Sequence, residues 1–186
     1  MFKETFSVIF FLFLQSISSL AQTNYYVNYS QGTDSEGFGT TPNMGAWKTI
    51  EYAIKNVYNP TVDEIIINIS GEIYNLSNDQ IDINRNFTNL KLVGAGIDQT
   101  IIQAAIDTPS SYSRVIKIYS GNLVKINNLT IRYGRTLNTD RDGGGVLNQG
   151  TTILDSCKIA YNWSNRNSAE GGIGGGIAND NGNLTI

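Results

Sequence analysis

Apolar and polar residues alternate along most of this chain, in short bursts. From residue 64 the bursts read EIIINISGEIYNL (64–76), TNLKLVGAGIDQTIIQAA (88–105), SRVIKIYSGNLVKINNLTIRYG (113–134) and TTILDSCKI (151–159). A period of two over a few residues, closed by Gly, Asn or Ser, predicts short half-buried strands joined by tight turns. In the third burst Val115 is expected to face away from Ile116 and Ile118, with Val124, Ile126, Leu129 and Ile131 following inward. One stretch breaks the rule. In WKTIEYAIKNV (47–57), Trp47, Ile50, Ile54 and Val57 fall along one helical face. Thr49 is placed as its N-cap, and Asn59-Pro60 is expected to end the helix. Tyr25-Tyr26-Val27 reads as an edge strand ahead of it, joined to it by a Gly/Ser/Thr/Asp loop.

The bursts repeat. Val124-x-Ile126-x-Asn128-Leu129-x-Ile131 aligns with Thr152-x-Leu154-x-Ser156-Cys157-x-Ile159, 28 residues on. Thr152-x-Leu154 aligns with Leu184-x-Ile186 after 32, Leu90-x-Leu92 precedes Val124-x-Ile126 by 34, and Ile67-x-Ile69 precedes Leu90-x-Leu92 by 23. A drifting period of this size predicts a solenoid with variable turns. Parallel strands spaced about 4.8 Å apart then place equivalent side chains directly over one another. GGGVLNQG from Gly143 and GGGIANDN from Gly174 mark a corner that recurs, where stacked backbones leave no room for a Cβ. Asn148 and Asn179 are placed to stack as amides or to bond within their own turns. The helix is expected to cap the N-terminal end. Ile186 falls in mid-strand, so further coils are expected beyond it.

YYVNYSQGTDSEGFGTTPNMGAWKTIEYAI (25–54) resembles the start of secreted right-handed parallel β-helix proteins of the pectin-lyase-like superfamily. There a Tyr-Val strand, a Gly/Asp/Ser loop and an aromatic-Lys-Thr-Ile-x-x-Ala-Ile helix follow one another. ISGEIYNL is similar to that family's Gly-x-Tyr turn, and LKLVGAGIDQTII to its Leu-x-Gly-x-Gly-x-x-x-Thr-Ile-Ile coil. The Gly-Gly-Gly-Ile/Val-x-Asn segments resemble repeats of large bacterial surface proteins, polymorphic outer-membrane-protein-like adhesins among them. The resemblance spans about residues 24–186. It implies the fold and leaves the activity open, because this scaffold carries lyases, hydrolases, tailspikes and adhesins alike.

Composition narrows the picture. Lys3, the apolar run Phe6–Leu14 and the small residues around Ser19-Leu20-Ala21 form the three parts of a secretory signal peptide. The run is too short for the roughly 20 residues of a membrane-spanning helix. A formal net charge of −3 is too weak to imply a nucleic-acid or membrane-surface partner. With no histidine and a single cysteine, Cys157, the chain has no His-based catalysis, no His-ligated zinc and no internal disulfide. Cys157 aligns with Leu129 one coil earlier, so an inert, inward thiol is expected.

Candidate chemistry is sparse. The pectate-lyase-like resemblance implies calcium held by carboxylates, with Arg or Lys as base. The nearest stretch is IRYGRTLNTDRDGGG (131–145): Arg132 and Arg135 are the catalytic candidates, and Asp140 and Asp142 the calcium candidates. Calcium takes six to eight oxygens, and no further carboxylate recurs one coil on, so a solvated loop of self-pairing charges competes with this reading. Asp155 points outward on the next strand. Neither Asp79 and Asp82 nor Asp63-Glu64 is spaced as a glycosidase pair. Tyr119, Tyr133, Tyr161 and Trp163 close successive coils. Outward aromatics in a row stack on sugar rings or meet a protein partner, while the plainer reading has them covering turn edges.

These readings predict an all-β fold: a right-handed parallel β-helix with one N-terminal capping α-helix and about five coils, its C-terminal coils missing. Residues 1–21 are the signal peptide. Residues 22–62 form the edge strand, loop and capping helix, and 63–186 the coils, incomplete at the C-terminus. The expected function is non-catalytic adhesion or glycan binding by an exported bacterial surface or extracellular protein. The alternative is the N-terminal part of a polysaccharide lyase or glycoside hydrolase with its active coils largely beyond Ile186; a third reading is a spacer. No cofactor is expected apart from the Ca2+ candidate. Expected partners are glycans or host or cell-surface proteins, and the remaining coils or an anchoring domain of the same polypeptide. No nucleic acid and no membrane insertion in this segment are expected.

Overall fold

The computed structural model describes residues 22–58, 64–137, 142–164 and 174–186. Residues 1–21, expected to be a signal peptide, and Asn59-Pro60, Asp63 and Asp140 lie outside them. Strand β1 (Gln22–Val27) and helix α1 (Ile50–Asn56) form the N-terminal end. The first coil is β2 (Glu64–Ile69), β3 (Ile73–Asn75) and β4 (Ile81–Ile83). The second is β5 (Leu90–Gly94), β6 (Ile101–Gln103) and β7 (Ile116–Ile118). The third adds a strand: β8 (Leu123–Asn127), β9 (Thr130–Arg132), β10 (Arg135–Thr136) and β11 (Val146–Asn148). The fourth repeats that plan with β12 (Thr151–Asp155), β13 (Lys158–Ala160), β14 (Trp163–Ser164) and β15 (Ile177–Asn179), and β16 (Asn183–Thr185) opens the next.

Every strand pairs in parallel with its counterpart one coil away. The sheets run β1-β2-β5-β8-β12-β16, β3-β6-β9-β13 and β4-β7-β11-β15, with the short pair β10-β14 at an added corner. The fold is a parallel β-helix. Its core is made of columns. Tyr25, Ile67, Leu92, Ile126 and Leu154 lie in register on the first sheet, and all five are buried. Removal of such columns from water, at about 25 cal/mol per Å² of apolar surface, is the main favourable term in folding.

The expected registers hold from Leu90 onward: Leu90 lies opposite Val124, Val124 opposite Thr152, and Thr152 opposite Leu184. One is corrected. Leu90 and Leu92 lie opposite Ile65 and Ile67, not Ile67 and Ile69. Inward residues recur every second position in β2, so a two-residue slip keeps the alternation intact and the pattern alone does not choose between them. Val115 is also corrected. It is fully buried, in the same core cluster as Ile116 and Ile118, because it precedes β7 at a corner where strict alternation does not apply.

The N-terminal end is closed by the predicted helix. Trp47, Ile50, Ile54 and Val57 are all buried, and the Trp47 ring stacks on Tyr25 with centroids 5.4 Å apart. Thr49 is the N-cap and accepts from the Tyr52 amide. The helix stops at Asn56, before the Asn-Pro expected to end it. Arg85 donates from Nη1 to the carbonyls of Ile54 and Val57 at 2.8 and 2.9 Å, satisfying the helix C-terminus from the turn after β4. The outer edge of β1 is covered too. Tyr26 N–H bonds to Gly39 O, Trp47 N–H to Tyr26 O, and Asn28 N–H to Trp47 O. A paired edge offers no template for strand addition.

Candidate functional site

At the corner that follows β9 and β13, tyrosines take the left-handed conformation. Tyr133 has φ 59° and Tyr161 φ 56°. Most other corners give such angles to Gly, Asn or Ser, residues that reach this region at low cost or bond locally there. A bulky aromatic in this conformation is an outlier. Here it occurs twice, at equivalent positions 28 residues apart. The rings of Tyr133 and Tyr161 meet with centroids 5.6 Å apart, and Tyr161 is 69% exposed.

Two residues further on, the added corner places Arg135 opposite Trp163. The Arg135 guanidinium lies over the Trp163 ring at 4.8 Å, and Arg132 lies over Tyr133 at 4.7 Å. Trp163 remains 43% exposed. The loop between β6 and β7 leans on this strip. Thr108 donates its hydroxyl to Tyr161 O, and Pro109 O accepts from Arg135 Nη1 at 2.9 Å. Thr108, Pro109, Arg135 and Trp163 line a shallow, open pocket. Arg132 donates from Nε to Gln103 Oε1 at 2.9 Å. The result is an outward row of two guanidiniums and three aromatic rings, fixed by the sheet ladder beneath.

Five sequence-stated candidates therefore converge: Arg132, Arg135, Tyr133, Tyr161 and Trp163. Tyr119 does not join their ring contacts. It follows β7 on the third sheet, with Lys117 over its ring at 4.5 Å. Asp142 is described through its backbone. Its carbonyl accepts from Nη2 of Arg114 at 2.9 Å, and Arg114 reaches Gly143 O and Gln80 Oε1 as well. Asp140 is outside the described residues. Among the described residues no three His, Cys, Asp or Glu side chains come together. Asp155 is exposed and accepts from Asn127 and Ser156.

Sequence reasoning passed over Arg114, which is fully buried. Its only signal is an arginine directly ahead of an apolar strand. It also passed over Glu51 on α1. Burial pushes the Glu51 carboxyl above its usual range, its own backbone amide offsets part of this, and the Asp79 and Asp34 carboxylates add to the rise. Glu51 and Asp79 share a cleft with Tyr29 and Tyr74. Cys157 is half-buried beside the core, donates to Ile126 O, and burial pushes its thiol up, away from nucleophilic use.

No protein-family model matches the chain, and no curated protein matches it. No helix among the described residues is long and apolar enough to cross a membrane.

Proposed function

We propose that this chain belongs to an exported surface or extracellular protein that binds glycans without transforming them, along the strip formed by Tyr133, Tyr161, Arg135 and Trp163. The observation that carries the reading is the pair of left-handed tyrosines. Backbone strain of this kind costs on the order of 1–3 kcal/mol per residue and persists where the surroundings enforce it, often at ligand sites. Here the strain sets a ring outward in two successive coils. Flat, rigid, half-exposed rings stack on sugar faces at low conformational cost. The parallel β-helix supports the resemblance to pectin-lyase-like secreted proteins and to bacterial surface adhesins, and that resemblance in turn favours a location outside the cell.

The reading is tested with a panel of immobilised neutral and acidic polysaccharides. Binding by the native chain, abolished in a Tyr161→Ala/Trp163→Ala variant that melts like the native chain, is the expected result. Equal binding by the variant removes the strip from the function. Depolymerisation of any panel member, read as new reducing ends or unsaturated-uronate absorbance, favours the lyase or hydrolase reading instead.

A further inference from the structure

We infer that the ligand of this strip is anionic: a glycan bearing carboxylate or sulfate groups, anchored by Arg135 and Arg132. This deepens the glycan-binding reading and rests on it. The argument begins from hydrogen-bond accounting. A guanidinium has five N–H donors in a planar fork. Arg135 spends one nitrogen, Nη1, on Pro109 O. Its Nε is shielded from water and has no acceptor among the described residues, so the donors it can offer a ligand are those left on Nη1 and Nη2. Arg132 spends only Nε, on Gln103. Among the described residues neither arginine has a carboxylate partner: the ion pairs there are Lys125 with Glu64 and Lys158 with Asp98.

Among the described residues, two positive heads thus stand without a countercharge, on a chain whose net charge is −3. Each sits over an aromatic ring, which restrains where its head lies. A planar guanidinium fork matches the two oxygens of a carboxylate or sulfate better than any single hydroxyl. A neutral sugar would use the rings and leave the guanidinium donors unmet. An acidic one uses both, with the ring face on Trp163 or Tyr161 and the anion at the arginine heads.

Trp163 makes this measurable. The chain has two tryptophans, and Trp47 is buried in the cap, so a ligand-induced change in emission reports on Trp163. The probes are hyaluronan and heparan sulfate oligosaccharides, a dextran oligosaccharide of similar length, and polyglutamate as an anion without sugar rings. The acidic oligosaccharides are expected to quench emission and to bind more weakly as salt rises. Dextran and polyglutamate are expected to bind at least about tenfold more weakly. Arg135→Gln should weaken the acidic ligands by about tenfold or more, the scale of a lost charged hydrogen bond, while Arg135→Lys recovers only part of it because the fork is gone. Melting curves of each variant separate affinity from folding.

Dextran binding as tightly as hyaluronan, with Trp163→Ala abolishing both, overturns the anionic ligand and leaves glycan binding standing. Polyglutamate binding as tightly as the sugars reduces the site to a generic anion surface and overturns the inference. No response to any sugar fails both readings.

Discussion

At the scale of single residues, the corner tyrosines are the most informative feature. A side chain at φ near +60° normally gains from replacement by glycine, because the left-handed region costs a residue with a Cβ about 1–2 kcal/mol. Elsewhere glycine is the destabilising choice relative to alanine. The prediction is therefore an inverted order at Tyr161: Tyr161→Gly should be more stable than Tyr161→Ala by about 1 kcal/mol in urea denaturation. The usual order, with alanine the more stable, would mean that the backbone relaxes out of the left-handed region once the ring is gone. The recurring glycine corner adds crowding to the same backbone conformation. Gly143 and Gly174 have φ near +60°, and next to them a Cβ on Gly144 would lie 2.7 Å from Gly175 O and nearer still to Trp163 O. Alanine at Gly144 has no relaxed alternative, because the Trp163 and Gly175 carbonyls it meets belong to the adjoining coil of the stack. A loss of about 1–3 kcal/mol is expected, the upper range of single substitutions, measurable in the same denaturation experiment.

At the scale of elements, the question is what lets a helix of two turns exist at all. Isolated helices of this length are not stable in water. Here both ends are tied down by side chains from elsewhere. Asp34 accepts from the amides of Lys48 and Thr49 and from the Thr49 hydroxyl, which fixes the N-cap before the first turn. Arg85 closes the other end from the turn after β4. Arg85→Ala should cost about 1–3 kcal/mol, because two carbonyls lose a charged donor in a part-buried setting. Its signature is early loss of the helix end, seen as faster amide exchange in α1 while β8 and β12 stay protected. The helix itself was legible: the 3.6-residue spacing of Trp47, Ile50, Ile54 and Val57 and the Thr49 cap all hold. Arg85 was not, since nothing local marks an arginine that reaches back to a helix about 30 residues earlier. The site shows the same division. Strand ladders and corners follow from alternation and glycine, so an outward series of aromatics was legible, but Tyr133 and Tyr161 lie at a corner inside the third and fourth coils and do not end them. The contacts of Arg135 with Trp163 and Pro109 depend on the added β10-β14 corner and on a loop from the coil before, and alternation carries no information on either.

At the scale of the whole molecule, the stack is held by nearest neighbours, and its interior changes character along its length. Ile83 and Ile118 occupy one inward column of the third sheet, and Asn148 continues it. Asn148 is fully buried, yet its amide is satisfied: Oδ1 accepts from Gly150 N–H and Thr152 Oγ1, and Nδ2 donates to Asn179 Oδ1 at 2.7 Å and to Asn183 O. An apolar column gives way to a polar ladder that fixes register, because a slip of one residue would strand every one of these groups. In such an array stability is local, each coil depending on its own packing and its two interfaces. The two outermost strands of the first sheet then differ sharply. β1 has β2 on one side and the loop through Gly39 and Trp47 on the other. β16 has a described neighbour on one side only, β12, and its Asn183, Leu184 and Thr185 are exposed or half-buried. Hydrogen exchange on the whole chain should therefore find the Tyr26 amide at least about 100-fold slower than that of Leu184, with protection highest in β5 and β8, which have strands on both sides. Equal protection at Tyr26 and Leu184 would mean that β16 has a partner on its outer side, and uniform protection across all coils would mean that the stack opens as one unit and not coil by coil.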